Sequence, residues 1–444
     1  MHAVGTAAQT TAVPLRTTYL VLILCWFAIL SEGYDLGVMG TIVPALMHDP
    51  QWKLTPLELG QMSSAALVGT LFGAYIISPL SDLAGRKKLL IACVALFSLS
   101  MLAAVWAPTP AYFSLARALG GLGLGGVISV AAALTVEYSP PHRRNLNFAL
   151  MYSGYPIGAL VSALVGIGFM EQYGWRAVVA IGALPLLFLP VLMIWLPESL
   201  EFLLAKGHHH RAQALAEKLG VAMPAPTTHP APTATAPQAS FRAMIGEVFS
   251  RKNAFGTICL WIAQLSVVMA MYGLGTWLPQ IMRKNGYDLG SSLALFAVFN
   301  LAAAVGGVAI GRVADHFGPR KTICTGYVVG AMAILALSQK NDLLVNYLLV
   351  GLAGFGTIAV ALVQLGYIAN YYAPHARASG TGWAVGIGRF GAMAGPLVGG
   401  YTAGLNISPI WNFAIFAGAA FVAGLAIFFT PTPEHVSRAT GRKA

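Results

Sequence analysis

Three ionisable residues lie inside stretches of sequence that are otherwise apolar. Glu32 and Asp35 occur in Glu32-Gly-Tyr-Asp35, within the run 18–46, and Arg389 occurs within the run 376–404. All three lie near the middle of their runs. A charged side chain is costly inside a bilayer and usually serves a function there. We therefore expect these residues to form the centre of the functional site.

The two acids are spaced for proton chemistry. They are three positions apart, which places them on one helix face about 5–6 Å from each other. Two carboxylates this close in a low dielectric resist being charged together, so at least one of them should exchange a proton near neutral pH. This behaviour suits a proton carrier. The alternative is a structural role, in which the buried acids are bonded to neighbouring helices.

Arg389 lies among glycines in the segment 386–396. Glycines let another helix or a ligand approach the backbone closely. A guanidinium removed from water needs an anion, and its planar fork suits a carboxylate. That anion is Glu32, Asp35 or a substrate.

The composition indicates that these residues are embedded in a membrane protein. Of 444 residues, 57% are hydrophobic and 9% are charged, whereas a soluble domain has about 25% charged residues. Apolar stretches of about 20 residues, enough to cross a hydrocarbon core of about 30 Å, recur along nearly the whole chain. The first stretch is too long for a signal-peptide core and lacks a convincing cleavage site, so we expect it to remain as a span.

An all-α fold of twelve membrane-spanning helices in two six-helix bundles is predicted. The spans are roughly 18–46, 57–80, 88–107, 111–136, 146–170, 175–196, 253–281, 289–312, 321–339, 343–371, 376–404 and 408–430. The segment between the halves is polar and proline-rich, with a short amphipathic helix expected near 199–219. The predicted divisions are an N-terminal tail (1–17), a first bundle (18–196), a central loop (197–252), a second bundle (253–430) and a C-terminal tail (431–444).

The distribution of basic residues predicts the orientation. Lysines and arginines of the tails and loops divide 19 to 5 in favour of the side that carries both termini. An excess of basic residues marks the cytoplasmic side, so we expect both termini in the cytoplasm of a cell (inner) membrane. The net charge of +11 is explained in this way, without a nucleic-acid partner.

Several kinds of chemistry are not supported by the sequence. It contains no phosphate-binding Gly-x-x-x-x-Gly-Lys-Ser/Thr loop, no metal-ligand spacing and no legible nucleophile–base arrangement. We therefore expect no enzyme activity, metal or cofactor. The glycine-rich segment 120–126 suits close helix packing better than phosphate binding. The cysteines are interpreted as small buried hydrophobes: Cys25, Cys93, Cys259 and Cys324.

The two halves repeat one another at a constant offset of 233 residues (315 − 82). Asp82 matches Asp315, His142 matches His375, and Gly121 matches Gly354 at this spacing. Parallel six-helix repeats place a solute site near the midplane between the halves, where rocking exposes it to each side in turn.

The repeated motif carries a resemblance. Asp82-Leu-Ala-Gly85-Arg86-Lys87 and Asp315-His-Phe-Gly318-Pro-Arg320 are similar to the cytoplasmic loop motif of the major facilitator superfamily, which the chain resembles over essentially its full length. Ser78 stands where that motif usually has glycine. The resemblance implies a latch whose ion pairs form in one conformation and break in another; a plain topology signal is the alternative. The latch set is Asp82, Gly85, Arg86, Lys87, Asp315, Gly318, Arg320, Arg144 and Arg377.

The fourth predicted span adds two candidates for proton coupling. Arg117, in Arg117-Ala-Leu-Gly120, resembles the superfamily's helix 4 signature, which is associated with proton coupling. Glu137 ends the same span near the cytoplasm, where a gate, a latch partner and simple solvation remain open. With these two, the proton-coupling set is Glu32, Asp35, Arg117 and Glu137.

A sharper resemblance is to the aromatic acid:H+ symporter family. Glu32-Gly-Tyr-Asp35 is similar to its Asp-Gly-Tyr-Asp motif, with glutamate where aspartate is usual, and the glycines around Arg389 and Pro197-Glu198-Ser199 fit it too. The resemblance implies uptake of an aromatic carboxylate, such as a hydroxybenzoate, together with protons. Arg389, preferred over Arg117, is expected to bind the carboxylate. The other candidate substrate contacts are Tyr34, Tyr155, Gln264, Tyr272, Asn300, Gln364 and Trp383.

Other functions remain open at this point. A proton-coupled carrier of another organic anion, or a drug efflux antiporter, would share most of these features. Gly154-Tyr-Pro156-Ile-Gly158 only loosely approximates an efflux signature. A membrane sensor on a transporter scaffold is the rival from another class.

Overall fold

A computed structural model describes residues 13–221, 246, 248–251, 253–372, 376–405 and 408–431, except for the side chains of Ser78, Asp82, Ala378 and Pro409. Within these ranges the regular structure is helical. The α-helices are α1 (Leu15–Leu46), α2 (Pro56–Ala84), α3 (Arg86–Val105), α4 (Pro110–Glu137), α5 (Arg144–Tyr152), α6 (Gly154–Ile181), α7 (Pro185–Trp195), α8 (Leu200–Ala205), α9 (His209–Leu219), α10 (Ala254–Lys284), α11 (Leu289–Phe317), α12 (Pro319–Ala336), α13 (Leu343–Gly354), α14 (Val360–Tyr371), α15 (Arg377–Gly404) and α16 (Pro409–Phe429).

Local sequence explains where several helices begin. At α2 the Thr55 hydroxyl accepts from the backbone N–H of Glu58 at 3.3 Å, and the Glu58 carboxylate accepts from the backbone N–H of Thr55 at 2.8 Å. This capping box precedes Pro56 at the first helical position, where its missing N–H is no loss. Thr109 and Asp288 cap α4 and α11 in the same side-chain-to-backbone manner. These starts lie within a residue or so of the predicted ones.

The internal repeat has a structural counterpart. Gly85 joins α2 to α3 with φ 101° and ψ 141°, and Gly318 joins α11 to α12 with φ 88° and ψ 142°. Residues other than glycine rarely adopt such positive φ values. The two glycines occupy equivalent places in the repeat, so both motif copies turn the chain in the same way.

One region departs from the predicted limits. The predicted fifth span begins as the separate helix α5, which ends near Ser153, where the hydroxyl donates to the carbonyl of Leu150 at 2.6 Å and accepts from Trp26 Nε1 at 3.3 Å. Helix α6 then continues to Ile181 and breaks at Gly174, where φ is 72°. The predicted sixth span therefore consists of the end of α6 and α7. The apolar pattern indicated the spans but not the break at Ser153.

In the described chain, nine helical segments are long and apolar enough to cross a bilayer. One of them, Pro141–Trp195, is 55 residues long and contains the break at Gly174. The predicted ninth and eleventh spans are helices, α12 and α15, outside that set. The count of twelve spans and the division into five segments stay predictions. Residues 1–12 and 432–444 of the tails and 222–245 of the central loop lie outside the described residues.

The hydrophobic cores are arranged asymmetrically. The basic face is defined here as the end of the bundle where α1 begins and α2 ends, since Arg86 and Lys87 lie there; the other end is the opposite face. Toward the opposite face one core joins both halves, bringing Tyr34 and Trp175 together with Trp277 and other residues. Toward the basic face each half has a core of its own. The halves are therefore packed together at the opposite face and separated at the basic face.

Glycines close the seam between α2 and α15 near the opposite face. A Cβ atom at Gly60 would lie 2.7 Å from the carbonyl oxygen of Pro396, and one at Gly400 would lie 2.5 Å from that of Pro56. The Ser64 hydroxyl donates to the carbonyl of Met393 at 2.9 Å across the same seam. Small residues let the two backbones approach closely enough to exclude solute from this side.

Candidate functional site

A cavity of about 750 Å³ lies between the halves and opens at the basic face. Its wall includes Phe148, Tyr152 and Tyr155 from the first half and Gln264, Tyr272 and Arg389 from the second. Asn145 and Asp315, at the basic-face ends of α5 and α11, also line it. The volume is within the range of small-molecule sites, which are mostly apolar with a few placed polar groups.

Arg389 is the cation of this cavity wall near the middle of α15. In the described part of the chain no hydrogen bond or ion pair engages its guanidinium. Close packing of α15 against α10 sets its position, because a Cβ atom at Gly391 would lie 2.2 Å from the carbonyl oxygen of Leu265. A half-buried guanidinium with free donors is suited to an anion that enters the cavity.

Glu32 lies near this cation, on α1 of the first half. Its side chain is only 2% exposed, and Oε2 has no hydrogen-bond partner among the residues that the structure describes. It interacts electrostatically with Arg389 across the boundary between the halves, although no ion pair joins it to any residue that the structure describes. The close contact of α1 with α6, where a Cβ atom at Gly33 would lie 2.0 Å from the carbonyl oxygen of Tyr155, fixes its place beside the cavity wall.

Asp35 has a different partner. Its carboxylate forms an ion pair with Arg117 of α4, and both side chains are buried, at 0% and 1% exposure. Arg117 also donates from Nη2 to the backbone carbonyl of Asp35 at 2.7 Å and lies 2.9 Å from Sδ of Met101. Oδ2 of Asp35 and Nε of Arg117 have no hydrogen-bond partner within the described ranges. The acidic couplet is thus divided, with Asp35 bound within the first half and Glu32 near the second.

This arrangement bears on two sequence-based assignments. Of the two acids considered as the anion for Arg389, Asp35 is engaged by Arg117, whereas Glu32 interacts electrostatically with Arg389. Arg117 does not line the cavity, because its guanidinium is buried against Asp35 and Met101. Of the two arginines, Arg389 lines the cavity and Arg117 does not.

A ladder of aromatic rings forms one side of the cavity. Phe148 and Tyr152 stack with centroids 6.2 Å apart, and Tyr152 and Tyr155 stack at 6.0 Å. The Tyr155 hydroxyl donates to that of Tyr272 at 3.0 Å, which joins the two halves. Sequence reasoning found Tyr155 and Tyr272 but missed Phe148 and Tyr152. The recurrence of aromatic residues at 148, 152 and 155 is the helical spacing that predicts one shared face.

The other candidate substrate contacts lie in different places. Gln364 is fully buried behind Gln264 and donates to it at 2.8 Å. Asn300 lines a smaller cavity of about 50 Å³ beyond the Tyr155–Tyr272 bond. Tyr34 does not face the main cavity, because its hydroxyl donates to the carbonyl of Val178 at 2.7 Å. Trp383 is 44% exposed and stacks on Trp261 away from the cavity, with ring centroids 6.0 Å apart.

A network of charges joins α3, α4 and α8 at the basic face. Arg86 donates to Glu137 at 2.8 Å and to Glu201 at 3.2 Å. Glu198 accepts from the backbone N–H of Lys87 at 2.9 Å. Glycine is favoured at position 85 because its φ is 101°, and a Cβ atom there would also lie 2.6 Å from Oε2 of Glu198. Glu137 is thus a partner of Arg86 and is not simply solvated.

The second motif copy is organised differently. Arg320 donates to the carbonyl of Phe428 and lies over its ring at 6.0 Å from the centroid. Asp315 is exposed at the mouth of the cavity, and no ion pair with a described residue involves it. Arg144 and Arg377 are exposed as well, and the side chain of Asp82 lies outside the described residues. The latch remains a prediction.

Comparison with known proteins identifies the family. The model of the Major Facilitator Superfamily matches residues 25–337 and 287–444 of this chain. The chain belongs to the Major Facilitator Superfamily. It is therefore a multi-pass membrane transport protein and not an enzyme, and the relatives named below are transporters as well.

Curated relatives cover most of the chain. It is 31% identical to the benzoate transport protein of Acinetobacter baylyi (92% of this chain, 88% of the relative). It is 34% identical to the gallate transporter of Pseudomonas putida (92% and 91%) and 32% identical to the gentisate transporter of Corynebacterium glutamicum (90% and 85%). The resemblance to the aromatic acid transporters is thereby confirmed.

Solved structures confirm the fold. The inward open conformation of the xylose transporter XylE from E. coli matches with a TM-score of 0.71 at 17% identity, covering 93% of this chain and 96% of that one. A structure of a D-xylose-proton symporter matches with the same TM-score at 18% identity, covering 93% and 98%. The predicted all-helical major facilitator fold is confirmed by these matches.

Proposed function

We propose that the protein imports an aromatic carboxylate, of the hydroxybenzoate type, together with protons by alternating access. The basic face is then the cytoplasmic face, and both termini lie in the cytoplasm of the cell (inner) membrane. The observation that carries this proposal is the unpaired Arg389 in a cavity that also contains a ladder of aromatic rings, with the buried acid Glu32 close by.

Recognition of the substrate follows from the two sides of the cavity. The carboxylate binds to the guanidinium of Arg389, whose donors have no partner among the described residues. The ring packs on the Phe148–Tyr152–Tyr155 ladder, since offset aromatic stacking adds about 0.5–1.5 kcal/mol to the burial of apolar area. The relatives named for benzoate, gallate and gentisate support this substrate class.

Glu32 is the residue proposed to carry the proton. A buried carboxylate without a hydrogen-bond partner is expensive when charged and is stabilised when protonated. The anionic substrate and ionised Glu32 would compete for interaction with the positive charge of Arg389. Protonation of Glu32 therefore leaves the guanidinium available to the substrate. Release of the substrate to the cytoplasm then allows the proton to leave.

Asp35 and Arg117 have a separate role in this scheme. Their ion pair ties α1 to α4 within one half, and protonation of Asp35 would free Arg117 from it. Because a buried charge without a partner is costly, this change alters the packing of α1. The pair thus couples the protonation state of α1 to the position of the first half.

The arrangement of cores supports a cytoplasm-open state. The halves share one core at the outer side and are separated by the cavity at the cytoplasmic side. In this state the exposed Asp315, Arg144 and Arg377 are available to form latch contacts when the cytoplasmic side closes. The Arg86–Glu137 pair lies within the first half. It therefore holds the motif residues of that half in place for the latch.

Uptake into proteoliposomes tests the proposal. The substrate panel contains benzoates, phenylpropanoates and aliphatic acids, each measured with and without a pH gradient. Accumulation of a benzoate that depends on an inward proton gradient supports the proposal. Accumulation of aliphatic acids alone would indicate a carrier of another organic anion. Export against the gradient would indicate an efflux antiporter, and binding without flux would indicate a sensor.

A further inference from the structure

Behind the cavity wall, three side chains of the second half form a hydrogen-bonded chain. The Tyr327 hydroxyl donates to Oε1 of Gln364, and Nε2 of Gln364 donates to Oε1 of Gln264 at 2.8 Å. Tyr327 and Gln364 are both 0% exposed, whereas Gln264 lines the cavity. The chain therefore runs from the protein interior to the substrate cavity.

The direction of this chain is set by its buried end. A glutamine amide can donate or accept, and its neighbours decide which atom faces which way. The proton of the buried Tyr327 hydroxyl needs an acceptor, and Oε1 of Gln364 is its partner in the described chain. Reversing both amides would leave that proton unpaired, which is unfavourable in a buried site. The carbonyl of Gln264 is consequently occupied, and its Nε2 remains a donor.

This donor lies next to Arg389. A Cβ atom at Gly388 would lie 2.9 Å from Cγ of Gln264 and 3.1 Å from Nε2. The amide is thus packed on α15 at the residue before the guanidinium. The Gln264 amide and the Arg389 guanidinium therefore both present hydrogen-bond donors to this part of the cavity.

We propose that Gln264 is a second ligand of the substrate carboxylate, and that Gln364 and Tyr327 are positioning residues that keep its Nε2 directed at the substrate. The inference rests on the proposed function and adds a reason why the site selects a carboxylate over a carboxamide. A carboxylate supplies only acceptors to these donors. A carboxamide of the same shape brings N–H donors of its own, which would face Nε2 and the guanidinium, so the site rejects it.

A double-mutant cycle in proteoliposomes tests the proposal. The probe is labelled benzoate, with benzamide as the neutral competitor, and the variants are Gln264→Leu, Gln364→Leu and the double variant. Gln264→Leu removes a charge-assisted hydrogen bond to the carboxylate, and Gln364→Leu lets the Gln264 amide turn its Nε2 away from the carboxylate. Each single variant should therefore raise the KM for benzoate about tenfold or more. The preference for benzoate over benzamide should fall by the same factor. The double variant should be no worse than Gln264→Leu, since Gln364 acts only through Gln264.

Tyr327→Phe provides a second measurement that does not remove a glutamine. Without the phenol proton, the amide chain can reverse, so the preference for benzoate over benzamide should fall while the maximal rate is kept. Tyr401→Phe, an exposed tyrosine of α15, is the matched control and should change neither quantity.

The outcomes separate this inference from the proposed function. Unchanged KM and selectivity in Gln364→Leu and Tyr327→Phe, or additive losses in the double variant, would overturn the positioning role while benzoate uptake by the unmodified protein still stands. Absence of carboxylate uptake by the unmodified protein, or an Arg389→Gln variant with unaltered uptake, would overturn the proposed function itself.

Discussion

Glu32 and Arg389 lie within electrostatic range of each other on opposite sides of the boundary between the two halves, yet no ion pair joins them. Glu32 is buried, and Arg389 is open to the cavity. Two opposite charges that are near but not paired can each take another partner. For Glu32 this partner is a proton, and for Arg389 it is the carboxylate of a substrate.

The first prediction concerns the cation. Arg389→Gln should raise the KM for an aromatic carboxylate at least about 30-fold, because loss of a buried charged partner costs about 2 kcal/mol or more. Arg389→Lys should lose less, since it keeps the charge but not the planar fork. Initial rates of uptake over a range of substrate concentrations measure both effects. Arg16→Gln, which removes an exposed positive charge from the start of α1, serves as the control, and an equal loss in that variant would refute a specific role for Arg389.

The second prediction concerns the buried ion pair. Asp35→Asn leaves Arg117 without a counter-charge, which should destabilise the protein by about 3–5 kcal/mol and lower its Tm in detergent. The double variant Asp35→Leu/Arg117→Met removes both charges and should recover most of the Tm, since apolar replacement of a buried pair is often neutral or stabilising. Neither variant should accumulate substrate. Uphill uptake by Asp35→Asn would count against a coupling role for the pair.

The third prediction tests how α15 is positioned. Gly391→Ala places a Cβ atom 2.2 Å from the carbonyl oxygen of Leu265, so α15 and α10 must move apart at a cost of about 1–3 kcal/mol. Substrate affinity should fall with the Tm, because Arg389 shifts with its helix. Gly382→Ala is the matched control on the same helix, since a Cβ atom there meets nothing within 4 Å. Equal Tm values for the two variants would show that this contact does not hold α15 in place.

The fourth prediction concerns sidedness. Asn145 is exposed at the mouth of the cavity, and Gln51 is exposed at the opposite face. In a Cys324→Ser background, whose remaining cysteines are buried, Asn145→Cys should react with a membrane-impermeant maleimide only in inside-out vesicles. Gln51→Cys should react only in right-side-out vesicles. The reverse pattern would invert the orientation derived from the basic residues.

Sequence patterns predicted the fold to a large extent, because its signals are local. Apolar runs, and the repeated motif that contains Gly85 and Gly318, each act within a few residues of where they occur. The break at Ser153 was missed, since its hydroxyl is also engaged by Trp26 of a distant helix. A contact between helices leaves no local pattern in a single sequence.

The site could be predicted only in part for the same reason. Glu32, Asp35 and Arg389 could be proposed from the sequence because a charge in an apolar run is conspicuous wherever its helix packs. The pairing of Asp35 with Arg117 depends on which helix lies beside α1, and spacing within a helix carries no such information. Tyr34 and Trp383 have suitable side chains and depth, but rotation of their helices directs them away from the main cavity.

Proton coupling through Glu32 is tested most directly by comparing two assays on Glu32→Gln in proteoliposomes. The amide resembles the protonated acid but cannot exchange a proton. We predict that exchange of labelled for unlabelled aromatic carboxylate continues at a rate close to that of the unmodified protein, whereas accumulation driven by a pH gradient is lost. Accumulation that persists in Glu32→Gln would contradict the assignment of the coupled proton to this residue.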